Sequence, residues 1–292
     1  MPNSTVTAGV ANNPAAKVAE LQMLLSNDAN KDKCIMLVEG VDDRKFYTQF
    51  VDENHVVMYV LDGCFFMPQI LTLANAKQTL SNKVIGIKDS DFDQLIGKNY
   101  GIDYLFITDT HDWETMVMSK ECEDHVSIEA LGKKEVGLFA RVMSDLINYS
   151  YLKFYNEIEV CGKSLDGILF KGFTISNIYD GNNPCDLENC LQELRRHGNN
   201  ATLAHYPTVE LMNQFKQKYN GLNLYHLTCG HDVIHGIVCR LTFLRGRSPE
   251  IGYLNIERLF RASCSNDFFK KTRLYQLVQD WSVKHHTTVW AA

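Results

Sequence analysis

Carboxylates recur in this chain at one kind of address, the end of an apolar run of strand length. Glu39 closes Cys34-Ile-Met-Leu-Val38 and is followed by Gly40. Asp89-Ser90-Asp91-Phe92-Asp93 closes Val84-Ile-Gly-Ile-Lys88; Asp109 closes Tyr104-Leu-Phe-Ile-Thr108, with His111-Asp112-Trp113-Glu114 just beyond. Acids brought together repel one another unless a cation neutralises them. Hard oxygen donors with no cysteine beside them in sequence favour Mg2+ or Mn2+ over zinc. A dication held this way acts as a Lewis acid on an oxygen of whatever it binds, so the chemistry pointed to is metal-assisted.

Each acid also has an ordinary reading. Asp42, Asp43, Asp112 and Glu114 suit the positive ends of their helices, and Asp62 and Asp93 read as turn or surface residues. Glu39 resists such a reading, because a carboxylate closing a buried apolar strand is costly without a partner.

The elements that must position these acids follow from the apolar pattern. Continuous apolar runs fit parallel strands buried on both faces. They are predicted at 34–38, 55–61, 84–88 and 104–108. Helices are predicted at 16–25, at 42–51 with Asp42 or Asp43 as cap, at 68–80 with proline in the first turn, and from about 111. Alternation of strand and helix over 34–120 predicts an α/β fold, a mostly parallel sheet flanked by helices. In such a sheet the carboxyl ends of the strands open onto one edge, where ligands bind. From about residue 133 the pattern is mainly helical, at 134–156, 186–197, 208–219, 231–244 and 268–285, with 161–184 reading as a hairpin or lid. The expected organisation is a disordered tail over 1–15, a catalytic domain over 16–125, and a mainly helical substrate- or partner-binding domain over 126–292.

The chain has 292 residues, 45% of them hydrophobic and 22% charged. That is enough apolar material for a core and excludes disordered or collagen-like classes. No apolar run is long enough to span a membrane. No secretory signal opens the chain, so the nine cysteines are expected to be reduced thiols in a cytoplasmic protein. The net charge of −6 divides into −11 over residues 1–239 and +5 over 240–292. An acidic body with a basic segment is compatible with a metal-dependent enzyme acting on a polyanion, and equally with a solvated acidic surface.

The glutamate after the first strand, in Leu37-Val38-Glu39-Gly40, and the later Asp89-Ser90-Asp91 pair resemble the Toprim domain of topoisomerases, primases and OLD-type nucleases. A narrower likeness adds Val41-Asp42-Asp43, Phe46-Tyr47, Asp109-Thr-His111-Asp112-Trp-Glu114 and Gly230-His231-Asp232. These resemble the Toprim-type, AriB-like effectors of the PARIS anti-phage defence systems. The resemblance implies a Rossmann-like Toprim fold over roughly residues 34–120 and a Mg2+-dependent endonuclease, Mn2+ being an alternative ion. It implies metal binding and catalysis by Glu39, Asp89 and Asp91, with Glu114 as a further acid. Glu39 is either a ligand or, with its pKa raised by its neighbours, a general acid or base. The family further implies cleavage of RNA, transfer RNA in particular, after release from an AriA-like ATPase partner and homodimerisation. A DNA-cleaving Toprim nuclease and a non-catalytic regulatory subunit are the rival readings.

Other motifs lead less far. Cys161-Gly162-Lys163-Ser164 resembles the end of a phosphate-binding loop, but Glu157 stands where the loop needs glycine. Nucleotide-driven switching therefore has to come from another protein. His231, His235 and Cys239 share a helical stripe that could bind zinc, against the simpler expectation that His231 or Asp232 caps that helix. The basic segment interleaves Arg240, Arg245, Arg247, Arg258, Arg261, Lys270, Lys271 and Arg273 with aromatics. Arg258, Arg261, Lys270 and Lys271 are its candidate RNA contacts, through phosphates, while most of the aromatics belong to the core.

Overall fold

The computed structural model describes residues 13–63, 66–161, 167–198, 206–246 and 252–291. Positions 1–12, Gly162, Lys163, Ser164 and Arg247 lie outside them. The chain divides into two compact units that are not consecutive in sequence. The first comprises the chain up to Asp89, Asn99–Asp109 and the chain from Asn266; the second comprises Ser90–Lys98 and Thr110–Ser265. The sequence pattern predicts consecutive segments instead, with boundaries after residues 15 and 125.

The first unit is an α/β sheet unit. Four parallel strands, β1 (Cys34–Val38), β2 (Val56–Val60), β3 (Val84–Lys88) and β4 (Leu105–Ile107), lie in the order β2-β1-β3-β4. Every residue of the two central strands is buried, as their continuous apolar runs require. Leu37 pairs with Tyr59 and with Gly86, and Lys88 with Ile107. Strand order reverses between β1 and β3, since β2 lies outside β1 while β4 continues beyond β3.

The helix Pro14–Ser26 begins inside the stretch expected to be tail, because Asn13 accepts the amide hydrogens of Ala15 and Ala16 and proline opens the first turn. Its Val18, Leu21 and Leu25 pack with Ile70, Leu71 and Ala74 of helix Met67–Asn75 and with Ile35, Leu37 and Val84 of the sheet. Gly86 is what lets that second helix approach: a Cβ there would lie 2.8 Å from Met67 Sδ and 2.9 Å from Leu71 Cδ1. A further cluster joins Phe46, Tyr47 and Phe50 to the C-terminal segment. Phe50 stacks on Phe269 at 4.1 Å, and Val51 forms an antiparallel bridge with Trp290. Burying rings such as Phe46 and Phe269 contributes about 2 kcal/mol each, which is why residues from Asn266 onward return to the sheet unit.

The second unit is helical among its described residues. Helix Gly230–Arg245 buries Val233, Ile234, Ile237 and Leu241 and packs on helices Lys120–Leu131, Leu138–Asp145 and Tyr253–Ser263. The helix expected at 134–156 is two helices, Leu138–Asp145 and Ile147–Tyr155. The first starts late because Glu123 accepts the amide hydrogens of Gly137 and Phe139 through its two oxygens, fixing the N-terminus there. Helix Lys120–Leu131 is absent from the periodicity reading because its charged residues blur the apolar stripe, although Ser119 caps one end and Gly132, at φ +71°, closes the other. The helix expected at 268–285 is likewise split, into Asn266–Phe269 and Arg273–Lys284. Residues 167–184 contain a short 3-10 turn, Ile175–Asn177, and no strand, so the hairpin expected there is not formed among the described residues. No helix among the described residues is long and apolar enough to cross a membrane.

Candidate metal centre

Glu39 and Asp89 follow β1 and β3, the adjacent pair at which strand order reverses, and stand at the carboxyl edge of the sheet. The backbone N–H of Asp89 donates to Glu39 Oε1 at 3.0 Å, a bond between residues fifty positions apart. Gly63 N–H donates to the Glu39 carbonyl, and Gly40 N–H to Asp43 Oδ2 at 2.6 Å, so the turn after β1 is held from both sides. Asp43 thereby serves the helix start while Asp42 pairs with Lys45 at 2.7 Å, the ordinary roles for acids in a first helical turn.

Sequence reasoning passed over Lys88. It ends β3, is only 5% exposed, donates to the Asp89 carbonyl at 2.6 Å and places Nζ 4.0 Å from Glu39 Oε1. A buried lysine is rare unless paired. Its signal was visible: a lysine closes the otherwise uncharged run Val84-Ile-Gly-Ile. Beside Glu39 and Asp89 it supplies a positive charge that offsets the carboxylates.

Asp109 has a different task from its fellows. Its Oδ2 accepts the N–H of Arg273 at 2.6 Å and its Oδ1 the N–H of Leu274 at 2.7 Å. Both oxygens thus hold the N-terminus of helix Arg273–Lys284, whose own cap is Thr272.

Asp91 and the remaining acids belong to the second unit. Asp91 has φ +46°, in the left-handed region, and its N–H donates to the His111 carbonyl at 2.7 Å. Aspartate tolerates that region better than most residues, and such outliers concentrate at functional positions. Asp93, expected as a turn or surface residue, lies in a turn, where it is 6% exposed and pairs with Lys98 at 3.1 Å. The expected helix from 111 is a single turn, Trp113–Met116, with Asp112 as its cap accepting from Thr115 N–H at 2.9 Å. Glu114, 8% exposed, lies in that turn.

Asp112 also reaches the start of helix Gly230–Arg245, accepting Gly230 N–H on Oδ2 at 2.6 Å. That helix is therefore capped from a segment 118 residues away and not by His231 or Asp232. Gly230 is required here, because a Cβ would stand 2.4 Å from both Asp112 Oδ1 and Glu114 Cβ. Asp232 instead pairs with Lys153 at 2.6 Å. Burial opposes the charged form of Lys153, but the negative charge of Asp232 and its neighbours together outweigh it and raise the lysine's pKa. His231 and His235 pack with Tyr253, whose hydroxyl lies 2.6 Å from His231 Nδ1. Among the described residues the His231–His235–Cys239 stripe forms no metal-ligand group; the one such group is His111, Asp112 and Cys229.

The four basic candidates also separate. Arg258 is exposed on helix Tyr253–Ser263. Arg261, three residues on, has a side chain only 12% exposed; it pairs with Glu257 at 3.0 Å and lies over the Trp113 ring at 5.8 Å. Arg261 thus has a packing role. Lys270 and Lys271 belong to the sheet unit, Lys271 being the more exposed.

Compared with family models, with curated proteins and with solved structures, the chain matches none of them.

Proposed function

We propose that this protein is a Mg2+-dependent endonuclease of the Toprim type. Its substrate is RNA, transfer RNA in the first instance, and it acts as a cytoplasmic defence effector restrained by an ATPase partner and active as a homodimer. The observation that carries the reading is the position of Glu39 and Asp89 at adjacent carboxyl ends of β1 and β3, joined by the Asp89 N–H to Glu39 Oε1 bond. In open parallel sheets that reversal point is where ligands and catalytic groups gather. The donor set is carboxylate oxygen, which fits a hard dication. Glu39 and Asp89 are the residues of the sheet unit that would hold Mg2+; Asp91 is the third acid that the family resemblance implies. When bound, the ion polarises the scissile phosphate and neutralises charge on the leaving oxygen. Lys88, beside Glu39, orients the carboxylate and adds a positive charge toward the phosphate. Glu114 is kept as a further acid in the second unit.

The test is purified protein with Mg2+ or Mn2+ against total RNA and plasmid DNA, beside Glu39→Gln. RNA cleavage that chelation and Glu39→Gln both abolish is the expected result. Cleavage of plasmid alone moves the substrate to DNA. Cleavage of neither, in protein freed of partners, favours a regulatory module.

A further inference from the structure

His111, Asp112 and Cys229 come from segments more than a hundred residues apart, yet their ligand atoms all lie within 4.8 Å of one another. Nitrogen, oxygen and sulfur donors together select differently from the all-carboxylate set at the sheet edge. Imidazole and thiolate suit zinc, while Mg2+ takes oxygen almost alone. We propose that these three residues form a Zn2+ site in the helical unit, independent of the Mg2+ reading of Glu39 and Asp89.

Four observations carry this. First, the ligands are fixed from behind, as ligating side chains are where outer partners orient them. His111 Nδ1 lies 3.1 Å from the His226 carbonyl, and its backbone N–H donates to the Tyr225 carbonyl. Second, His111 is 5% exposed, and only Nδ1 of its two ring nitrogens has a hydrogen-bond partner among the described residues. Nε2 is thus the ring nitrogen left to ligate, with Nδ1 engaged at its back. Third, Asp112 keeps acceptor capacity. Its Oδ1 takes the N–H and hydroxyl of Thr115, and Oδ2 takes one bond, from Gly230. A carboxylate offers about four acceptor positions, so Oδ2 retains one. Fourth, Cys229 stands immediately before Gly230, whose N–H is held by Asp112 Oδ2 at 2.6 Å, so the same contact that fixes the carboxylate fixes the thiol's place beside it.

One carboxylate and one thiolate balance a dication. The Cys229 thiol loses its proton to solvent as the sulfur–zinc bond forms, so each ion bound releases one proton. Cys229 is partly exposed, which gives the ion a route in. Three protein ligands leave a fourth tetrahedral position for water.

The full chain, stripped with chelator, is titrated with Co2+ as a spectroscopic probe and then with Zn2+. The expected result is a thiolate-to-cobalt absorption band in the near ultraviolet that saturates with one Co2+ per chain at this site and is displaced by Zn2+. Cys229→Ser removes the band while the stripped variant keeps the wild-type circular dichroism. His111→Gln weakens binding at least about tenfold, since even outer partners of a ligand are worth that much. The band survives in Glu39→Gln/Asp89→Asn, which separates this site from the nuclease reading, and in His235→Ala/Cys239→Ser. A wild-type protein without the band, a band that persists in Cys229→Ser, or one lost with His235 and Cys239 overturns the proposal.

Discussion

Replacing Glu39 by glutamine removes a charge while leaving an oxygen that can still accept the Asp89 N–H. Metal-dependent RNA cleavage is expected to fall to background in Glu39→Gln, Asp89→Asn and Asp91→Asn alike, read from gel assays over a Mg2+ series. Full activity in any two of the three would end the Toprim reading. Lys88 sets the sign of the accompanying stability change. Neutralising one of several repelling acids is stabilising by itself, but here it leaves a buried ammonium beside fewer negative charges. A loss on the order of 1 kcal/mol in urea unfolding is therefore expected for Glu39→Gln, and it should shrink in a Lys88→Met background. Gly230→Ala tests the contact at Asp112 and Glu114. With the added carbon 2.4 Å from each, the helix start must shift, at a cost of about 1–3 kcal/mol.

Element by element, the acids that seemed alike in sequence divide into those that serve helices and those that face the sheet edge. Asp109 takes two amide hydrogens of helix Arg273–Lys284. Asp109→Ala is expected to lower stability by about 1–2 kcal/mol in denaturant titrations. The helix Pro14–Ser26 is tied to β2 by a triad in which Lys17 Nζ lies 3.2 Å from Glu20 and 3.1 Å from the Tyr59 hydroxyl, and that hydroxyl donates to Glu20. The Tyr59 hydroxyl, with help from Lys17, holds the Glu20 carboxyl below its ordinary pKa. A lowered folded pKa means that the carboxylate form favours folding. Its contribution is complete above the unfolded value and is lost as pH falls through the folded one. The acid limb of thermal unfolding should accordingly be shallower in Glu20→Gln than in the wild type, with the two curves parallel above neutral pH.

For the molecule as a whole, the basic segment is smaller as a nucleic-acid surface than its composition implies, because Arg261 is committed to Glu257. Reversing Arg261 should chiefly unfold the helical unit: Glu257 is 1% exposed and would lose its partner, a change worth about 3–5 kcal/mol. Charge reversal at Arg258, Lys270 and Lys271 is the cleaner test. It should weaken RNA cleavage and flatten its salt dependence, since each phosphate contact removed lowers the slope by roughly one counterion. Light scattering on the same samples should still report a homodimer. An unchanged slope would place the RNA surface elsewhere, and a fully active monomer would remove the dimer from the proposed function.

The parallel strands were legible in the sequence because burial on both faces leaves a local mark, an unbroken apolar run. Glu39 and Asp89 were placed by the same runs, since a residue covalently next to a buried strand end has nowhere else to go. Only the tertiary structure distinguished Asp109, which holds a helix 164 residues away, from Glu39. A carboxylate that caps a distant helix and one that stays at the sheet edge carry the same local signature and differ in what the returning chain brings to them. The same holds for Cys229. Sequence reasoning weighed the stripe His231, His235 and Cys239 because helical spacing makes it visible. The group that forms joins Cys229 to His111 and Asp112 across a loop of more than a hundred residues. Periodicity reports which face of an element is buried; it carries no record of which distant side chain arrives against it, because that is fixed by packing between elements and not within them.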